Sequence, residues 1–595
     1  MSNLKTLRLF RDNAFLIVII ASLALILTKA VADGLAIHEK FGSKGNDDIM
    51  RLLSVRDWLA GQGWYDMMQY RLLPPDGVSM HWSRYIDAGI AAIIVTFAWL
   101  LPVTTAETIA LTVWPTLILV ITLFAVGFGT RRVFGTAAAC YAVLCVVLWP
   151  LTADMHSSAG NLDHHNIQML MMTVMTFAVV WPSRPITAGL IGGLAAAFSL
   201  AVGLESLVFV VGVGCVVMLR AALVASSEAR QFLLSFCIAL TIGCILLWLG
   251  QIGPDMRMAL MCDQLAPPTL ALVGIATLSC IFLLIVGRLV QSPLAGLTAA
   301  AIVTAAGLAL AWPVLSHCLA GPYAQIPPDM LYLINTQIYE AKPGLVYAKE
   351  RPAVALALVL PIYAALIFGI WQWIDDRSRS EAATRTNGAL GLLLVLCLIG
   401  VPMMLLQMRA VIIAGSVAPI IVGPVVARRV NLYLEGRDLK DGLMAIVMGM
   451  MMISPMMVVQ IIQPVLPQRE EILNSVQSDC RGYSSLVTLN ELPPASILTH
   501  VNFGPALMWA THHSSLAAPY HRSADAFLNG IVPFQMEEAD FVGYVRDTTA
   551  THLLLCRGFN YQSEYVRGLA SGESADWLRR VPVSSEDQLL FEILR

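Results

Sequence analysis

Between two apolar runs the chain carries Gly160-Asn161-Leu162-Asp163-His164-His165-Asn166-Ile167-Gln168, a polar island in a sequence that is 57% hydrophobic. It crowds one acid and two imidazoles into three positions. On an extended or turning backbone, Asp163 and His165 point to one side and form an O,N pair suited to a divalent ion. Ionisable groups at a membrane boundary are expensive to place, so they usually have a task. The plain alternative is a solvated loop that caps the next helix, with His164 orienting a neighbour or facing water. Other polar groups recur at similar boundaries: Asn46-Asp47-Asp48 before a helical pattern opening near Ile49, Glu340 in a long polar loop, and Arg409 at the start of an apolar run.

The elements that must position these groups follow from composition. The chain has 595 residues with only 13% charged, and its mean hydropathy is +0.71. That is the composition of a polytopic membrane protein. A net charge of −3 argues against a nucleic-acid partner. The 11 cysteines lie mostly in apolar runs and form no Cys-x-x-Cys pair, so neither a zinc site nor a disulfide framework is indicated.

Charge parity sets the expected topology. Lys5, Arg8 and Arg11 precede the apolar run Ala14–Thr28 and hold that end in the cytoplasm. Ala30-Val31-Ala32 resembles a signal-peptidase site, but the run is long for a signal peptide, which favours a retained span. Asp87–Leu101 is apolar but short, and Arg131-Arg132 must be cytoplasmic, so Asp87–Leu101 is predicted to be an interfacial or re-entrant helix buried against protein. Thirteen transmembrane helices then fit residues 1–464, with long outer loops over about 33–105 and 314–350. Residues 465–595 form an outer α/β domain. In it, Thr551–Cys556 and Leu589–Leu594 read as strands, and Glu537–Thr548 and Glu564–Leu569 as helices. Cys480 and Cys556 are a possible disulfide there.

With this parity Asp47, Asp48, Asp163, His164, His165, Glu340 and Arg409 all fall on the outer face. Hard carboxylate and imidazole ligands suit Mg²⁺ or Mn²⁺. A divalent ion beside a bilayer suits chemistry on a phosphate-linked lipid, where it neutralises charge on a leaving phosphate while a carboxylate accepts a proton from the nucleophile. Arg409 is either a phosphate contact or a snorkelling anchor. Glu340 is otherwise an exposed acid paired with Lys342 or Lys349. His81, Trp82 and Arg84 could hold a sugar by stacking and hydrogen bonding, or anchor the interface. His512-His513 and Tyr520-His521-Arg522 read as an acceptor site or, more simply, as solvated loop.

The chain resembles the GT-C glycosyltransferases, and among them the catalytic subunit of the oligosaccharyltransferases. Four segments carry the resemblance in the family's order: Asn46-Asp47-Asp48 through Gly61, Ser158 through His165, Gln337 through Pro343, and Met408-Arg409-Ala410-Val411. The resemblance implies that Asp47, with Asp48 second, binds metal and acceptor, and that Asp163 and His165 complete the metal site. It further implies that Glu340 approaches the acceptor and that Arg409 contacts the donor phosphates. The implied reaction is inverting transfer of a sugar or glycan from a polyprenyl-phosphate or polyprenyl-diphosphate donor, at the outer face of a bacterial inner membrane. One departure matters. The family's Trp-Trp-Asp-Tyr-Gly, which reads the Asn-x-Ser/Thr acceptor, is replaced by Thr499-His500-Val501-Asn502-Phe503-Gly504. The acceptor is thus open: a sugar, a lipid or another protein group. Pro74-Pro75-Asp76-Gly77 with Met80-His81-Trp82-Ser83-Arg84 names no substrate either. A transporter of lipid-linked saccharide or polysaccharide is the alternative. It would place ionisable groups near span centres, where this sequence has almost none.

Overall fold

A computed structural model of the protein describes residues 2–180, 183–224, 226–379, 384–466 and 480–595. The side chains of Lys5, Arg8 and Arg11 lie outside the described residues, as does the stretch 467–479 that follows the expected domain boundary. In chain order the first helices are α1 (Ser2–Lys40), α2 (Asn46–Leu59), α3 (Arg84–Ala98), α4 (Val103–Phe134), α5 (Thr136–Leu148) and α6 (His165–Val180). There follow α7 (Pro185–Val202), α8 (Leu207–Leu223), α9 (Ser227–Gln251), α10 (Pro267–Leu289) and α11 (Pro293–Leu310). Three further long helices cover Pro352–Arg379, Thr384–Leu406 and Val411–Gly436.

All thirteen expected segments are helical, but fewer qualify as spans. Among the described residues ten helices are long and apolar enough to cross a membrane. A bent pair, Leu439–Met452 with Pro455–Val465, makes an eleventh at an angle of 89°. Two of the expected spans, over about 135–152 and 167–182, fall on the short apolar helices α5 and α6. The cause is local: α5 stops before Pro150, where a π-helical turn takes over, and α6 begins only at His165. Ala30-Val31-Ala32 lies inside the continuous helix α1. Phe15, Ile19 and Ile26 of α1 pack on Leu119 and Leu123 of α4 and Val143 of α5.

The helix Val411–Gly436 is the axis of the bundle. Every residue from Val411 to Ala427 is buried, which is how a helix apolar all round reads when other helices surround it. Its far end is closed by ion pairs, Arg428 with Asp375 and Asp376, and Arg429 with Asp441 at 3.1 Å. The polar groups of interest stand at the opposite end of the bundle.

There a second core joins the first outer loop to the C-terminal region. Ile49, Leu52 and Leu53 of α2 pack with Leu507, Met508, Trp509 and Tyr520. Arg56 holds both oxygens of Glu107 at 2.7–2.8 Å and donates to the Trp509 carbonyl at 2.8 Å. Helix α3, the predicted re-entrant segment, buries Ile86, Asp87, Ile90 and Ile94. The first loop adds a small hairpin, β1 (Met68–Gln69) with β2 (Val78–Ser79). The C-terminal sheet has strands β3 (Ser496–Leu498), β4 (Ser514–Ser515), β5 (His552–Cys556), β6 (Leu578–Val581) and β7 (Gln588–Ile593), in the order β4-β3-β5-β7-β6. Pairing is parallel from β4 to β5 and antiparallel from β5 to β6. The two expected strands are β5 and β7, and the two expected helices run over Glu538–Asp547 and Glu564–Ser571.

Cys480 and Cys556 are disulfide-bonded. A second disulfide, Cys262–Cys318, corrects the expectation of no disulfide framework. It ties two loops 56 residues apart in sequence, a link that spacing alone does not reveal.

Candidate active site

Helix α2 puts its acids in its first turn, Asp47 and Asp48 following Asn46. A helix N-terminus favours negative charge there. Asp48 turns back and accepts hydrogen bonds from the backbone amides of Leu162 at 2.7 Å and Asp163 at 2.9 Å. The first acidic motif thus holds the second in place. Gly160 makes the turn into that motif with φ +89, and a Cβ there would meet Ile37 Cδ1 at 2.8 Å, so only glycine fits this left-handed, crowded position.

Asp163 lies between two imidazoles, His164 Nδ1 at 2.6 Å and His165 Nε2 at 3.3 Å. Burial opposes ionisation of Asp163, but these two rings and Arg51 hold it well below the usual carboxylate range. Burial likewise disfavours charge on His164, yet Asp163 and Glu205 on either side raise its pKa to about 10. Glu205 Oε2 lies 3.2 Å from His164 Nε2. His164 is therefore buried between two acids and does not face water.

The tautomer of His165 follows from Gln168. The Gln168 amide nitrogen donates to Gly203 O and to Glu205 Oε2, both at 3.0 Å. Its oxygen, 3.2 Å from His165 Nδ1, must accept, so His165 carries its proton on Nδ1. Its Nε2 is the ring nitrogen turned toward the Asp163 carboxylate, at 3.3 Å, and a carbonyl-type oxygen on the other ring nitrogen is the usual support for a metal-bound histidine. Burial, Asp163, Glu340 and Asp48 together push Asp47 well above the usual carboxylate range, and burial with Asp163 raises Asp48 to about 7. So many acids at one place lack positive charge. Asp47, Asp163 and His165 fit a divalent ion by the chemistry of their donors.

Two cavities meet at these residues. The larger, about 1140 Å³, is lined by His81, Trp82, Glu205, Asp263, Tyr323 and Arg409 at its polar end. Leu272, Leu308, Trp312 and Leu406 line its apolar side and are exposed on the helix bundle. The smaller, about 750 Å³, is lined by Lys44, Asp48, Arg481, His500, Asn502 and Tyr561 among others. Asp47, Asp163, His165 and Glu340 line both.

Glu340 sits in a short 3₁₀ turn, Tyr339–Ala341. Lys342 pairs with Glu350 at 2.5 Å and not with Glu340. Arg409 donates to the Tyr323 hydroxyl at 2.6 Å, and its buried Nε has no hydrogen-bond partner among the described residues.

The sugar-holding set divides. His81 and Trp82 face the larger cavity. Burial, His521 and Arg522 keep the His81 pKa well below the usual imidazole value, so it is neutral. Arg84 lines neither cavity. It is fully buried, donating to the carbonyls of Ser54, Trp64 and Asp66 and to Asp87 Oδ2 at 3.1 Å. Arg51 grips the other oxygen of Asp87 at 3.2 Å and reaches Asp163 at 3.6 Å. Arg84 is thus a buried brace of the first loop, a correction to its expected role.

His521 and Arg522 are not solvated loop. Both bind Asp263: His521 Nε2 at 2.8 Å, and Arg522 through Nε at 2.7 Å and Nη2 at 2.8 Å. His81, Asp263 and His521 form a cluster whose possible ligand atoms lie within 4.8 Å of one another. His513, by contrast, is scaffold: its Nε2 faces the Leu489 carbonyl at 2.8 Å and its Nδ1 accepts from the Ala495 amide. Sequence reasoning missed Arg51, Gln168, Tyr323 and Asp263. Only Gln168, three residues after His165, carried a local signal.

The fold has known counterparts. The structure of the oligosaccharyltransferase AglB from the archaeon Archaeoglobus fulgidus, in complex with an inhibitory peptide and a dolichol-phosphate, aligns with TM-score 0.65 and 12% identity. The alignment covers 92% of this chain and 70% of that one. The same enzyme tethered to an acceptor peptide containing the NVT sequon also gives 0.65 at 12% identity, over 92% and 69%. Its complex with Zn and sulfate gives 0.62 at 11% identity, over 91% and 68%. At these identities the likeness establishes the fold alone, a polytopic helical architecture shared with that enzyme. No protein-family profile and no curated protein matches the sequence.

Proposed function

We propose that this protein is a membrane glycosyltransferase that moves a sugar or glycan from a polyprenyl-phosphate-linked donor to an acceptor at the outer face of the membrane. The observation that carries this reading is the meeting of two cavities on Asp47, Asp163, His165 and Glu340. One cavity has an apolar, bundle-exposed side for a lipid chain and an arginine for phosphate; the other is polar. The fold shared with AglB, whose structures hold dolichol-phosphate, a sequon peptide, and Zn with sulfate, supports the assignment.

In this reading Arg409, held by Tyr323, binds the donor phosphate, and its unpartnered Nε marks unused donor capacity. Asp47, Asp163 and His165 would hold Mg²⁺ or Mn²⁺, which when bound neutralises charge on the leaving phosphate. Asp48 and Gln168 fix the ligands in place. Glu340 orients the acceptor and takes its proton. The acceptor attacks the anomeric carbon from the smaller cavity, opposite the departing phosphate, so a single displacement inverts the configuration. Outer-face placement is supported by the disulfides: Cys262–Cys318 and Cys480–Cys556 lie at the end of the molecule that carries the site, while the seven free cysteines lie in apolar helices. Asp47, Asp48, Asp163, Glu205 and Glu340 stand together at one end of the bundle and not along the spans, which favours an enzyme over a transporter.

The test is Mn²⁺ binding to purified protein by electron paramagnetic resonance, comparing wild type with Asp47→Ala and Asp163→Ala. Binding in the wild type that is lost in each variant is the expected result. An ion bound equally by all three proteins, or by none, overturns the metal-assisted reading.

A further inference from the structure

The smaller cavity carries more information about its occupant than the reaction requires. Arg481 lies in its wall, 7% exposed. Its Nη2 donates to Lys44 O at 2.8 Å and to Asn46 Oδ1 at 3.1 Å. Among the described residues its buried Nε has no partner, and its hydrogen bonds all leave from Nη2, none of them to a charged group. A buried guanidinium without a counter-charge is costly. Its backbone cannot retreat either: a Cβ on Gly42 would meet Arg481 O at 1.9 Å, and the Cys480–Cys556 disulfide anchors the adjacent residue. Through Asn46, Arg481 stands one residue from Asp47.

The rest of the wall is aromatic and amide-rich. His500 is ringed by Phe559 at 4.7 Å, Phe534 at 5.8 Å and Tyr561 at 6.3 Å, which line the same cavity. Asn502, Gln535, Asn560 and Gln562 stand beside them. Rings that pack on C–H faces, next to amides that both donate and accept, are what a polyhydroxylated ring needs. The volume, about 750 Å³, is that of a small-molecule site.

We propose that the acceptor is a saccharide carrying an anionic group, carboxylate or phosphate, which pairs with Arg481 while its ring packs in the aromatic wall around His500. This rests on the reading of the smaller cavity as the acceptor side. The acceptor's hydroxyl oxygen forms the new bond to the donor's anomeric carbon. The bond from that carbon to the phosphate oxygen breaks, its electron pair leaves with the phosphate, and the hydroxyl proton passes to Glu340. Nothing is oxidised or reduced.

The test is saturation-transfer NMR on the purified full-length protein with Mn²⁺, titrating glucuronate, glucose 6-phosphate, glucose and an Asn-x-Thr tripeptide. Glucuronate or glucose 6-phosphate should bind about tenfold or more tightly than glucose, as expected for a charge-assisted pair, and the tighter of the two identifies the anion. Arg481→Gln should abolish that preference. Phe559→Leu, which leaves Arg481 intact, should weaken all three sugars and keep their ratio. Equal binding of glucose and its acidic forms, a ratio unchanged in Arg481→Gln, or preferential binding of the tripeptide would each overturn the proposal. Mn²⁺ binding in the same samples separates the two readings: its absence defeats the metal-assisted site, whereas a neutral-sugar preference with Mn²⁺ bound defeats only the acidic acceptor.

Discussion

Asp48 Oδ1 accepts the backbone amide of Asp163 at 2.9 Å, across 115 positions of sequence. The acid beside the leading candidate ligand thus serves as a clamp on the loop that supplies the other two. Removing the clamp should loosen a site whose ligand residues are all still present. Asp48→Ala is expected to weaken Mn²⁺ binding by about 10- to 100-fold, the range typical of residues that support metal ligands. Asp48→Asn keeps an acceptor oxygen and should lose less. A titration followed by paramagnetic resonance compares them, and equal affinity in wild type and Asp48→Ala would refute the clamp.

Gln168 supports His165 from the other side. Gln168→Leu preserves bulk but removes the oxygen that accepts from His165 Nδ1. Mn²⁺ affinity should fall by about tenfold or more. ¹⁵N chemical shifts of the histidine rings should show the imidazole of His165 losing its single tautomer; an unchanged ring spectrum would refute the assignment.

Arg409 should bind phosphate as a fork and not merely as a charge. Binding of a short polyprenyl phosphate in nanodiscs should fall by about tenfold or more in Arg409→Met, and Arg409→Lys should recover only part of it. Full recovery by lysine would mean that charge alone matters. No loss in either variant would return Arg409 to the role of an interface anchor.

Acid should destabilise the C-terminal region through His500. Burial among its aromatic neighbours lowers its pKa to about 3. That is below the value of about 6.5 for an unfolded chain, so the unfolded state binds the proton first. The contribution is complete above pH 6.5 and is lost as pH falls, reaching up to about 2 kcal/mol at pH 5. Thermal unfolding of wild type should therefore shift downward between pH 7 and 5 more than that of His500→Gln. Parallel shifts would remove His500 from the account.

What was legible in the sequence divides by how local the signal was. The helices carry their own apolar content, so all thirteen segments were visible, as were β5 and β7. Asp163 and His165 were visible because an acid and two imidazoles stand side by side. Asp47, Glu340 and Arg409 needed family order, which the cavities then brought together. Asp263 and His521 stand 258 positions apart, and Cys262 and Cys318 are 56 apart; nothing near either partner points to the other. Arg84 was misread for a different reason. An arginine beside an aromatic residue at a helix start looks the same whether its guanidinium faces a cavity or three backbone carbonyls. Ten or eleven helices meet the length and hydropathy of a span, and α5 and α6 are apolar but shorter, so hydropathy alone marks more segments than helix length does.

The arrangement of the two cavities bears on kinetics. In the proposed transfer each substrate would have its own approach, and the two approaches would join along the strip that carries Asp47, Asp163, His165 and Glu340. Neither molecule would have to leave before the other arrived, and no residue would be asked to carry the glycosyl group in between. Turnover would then pass through a ternary complex in which either partner comes first. The lipid carrier would be exchanged within the plane of the bilayer while the acceptor waits.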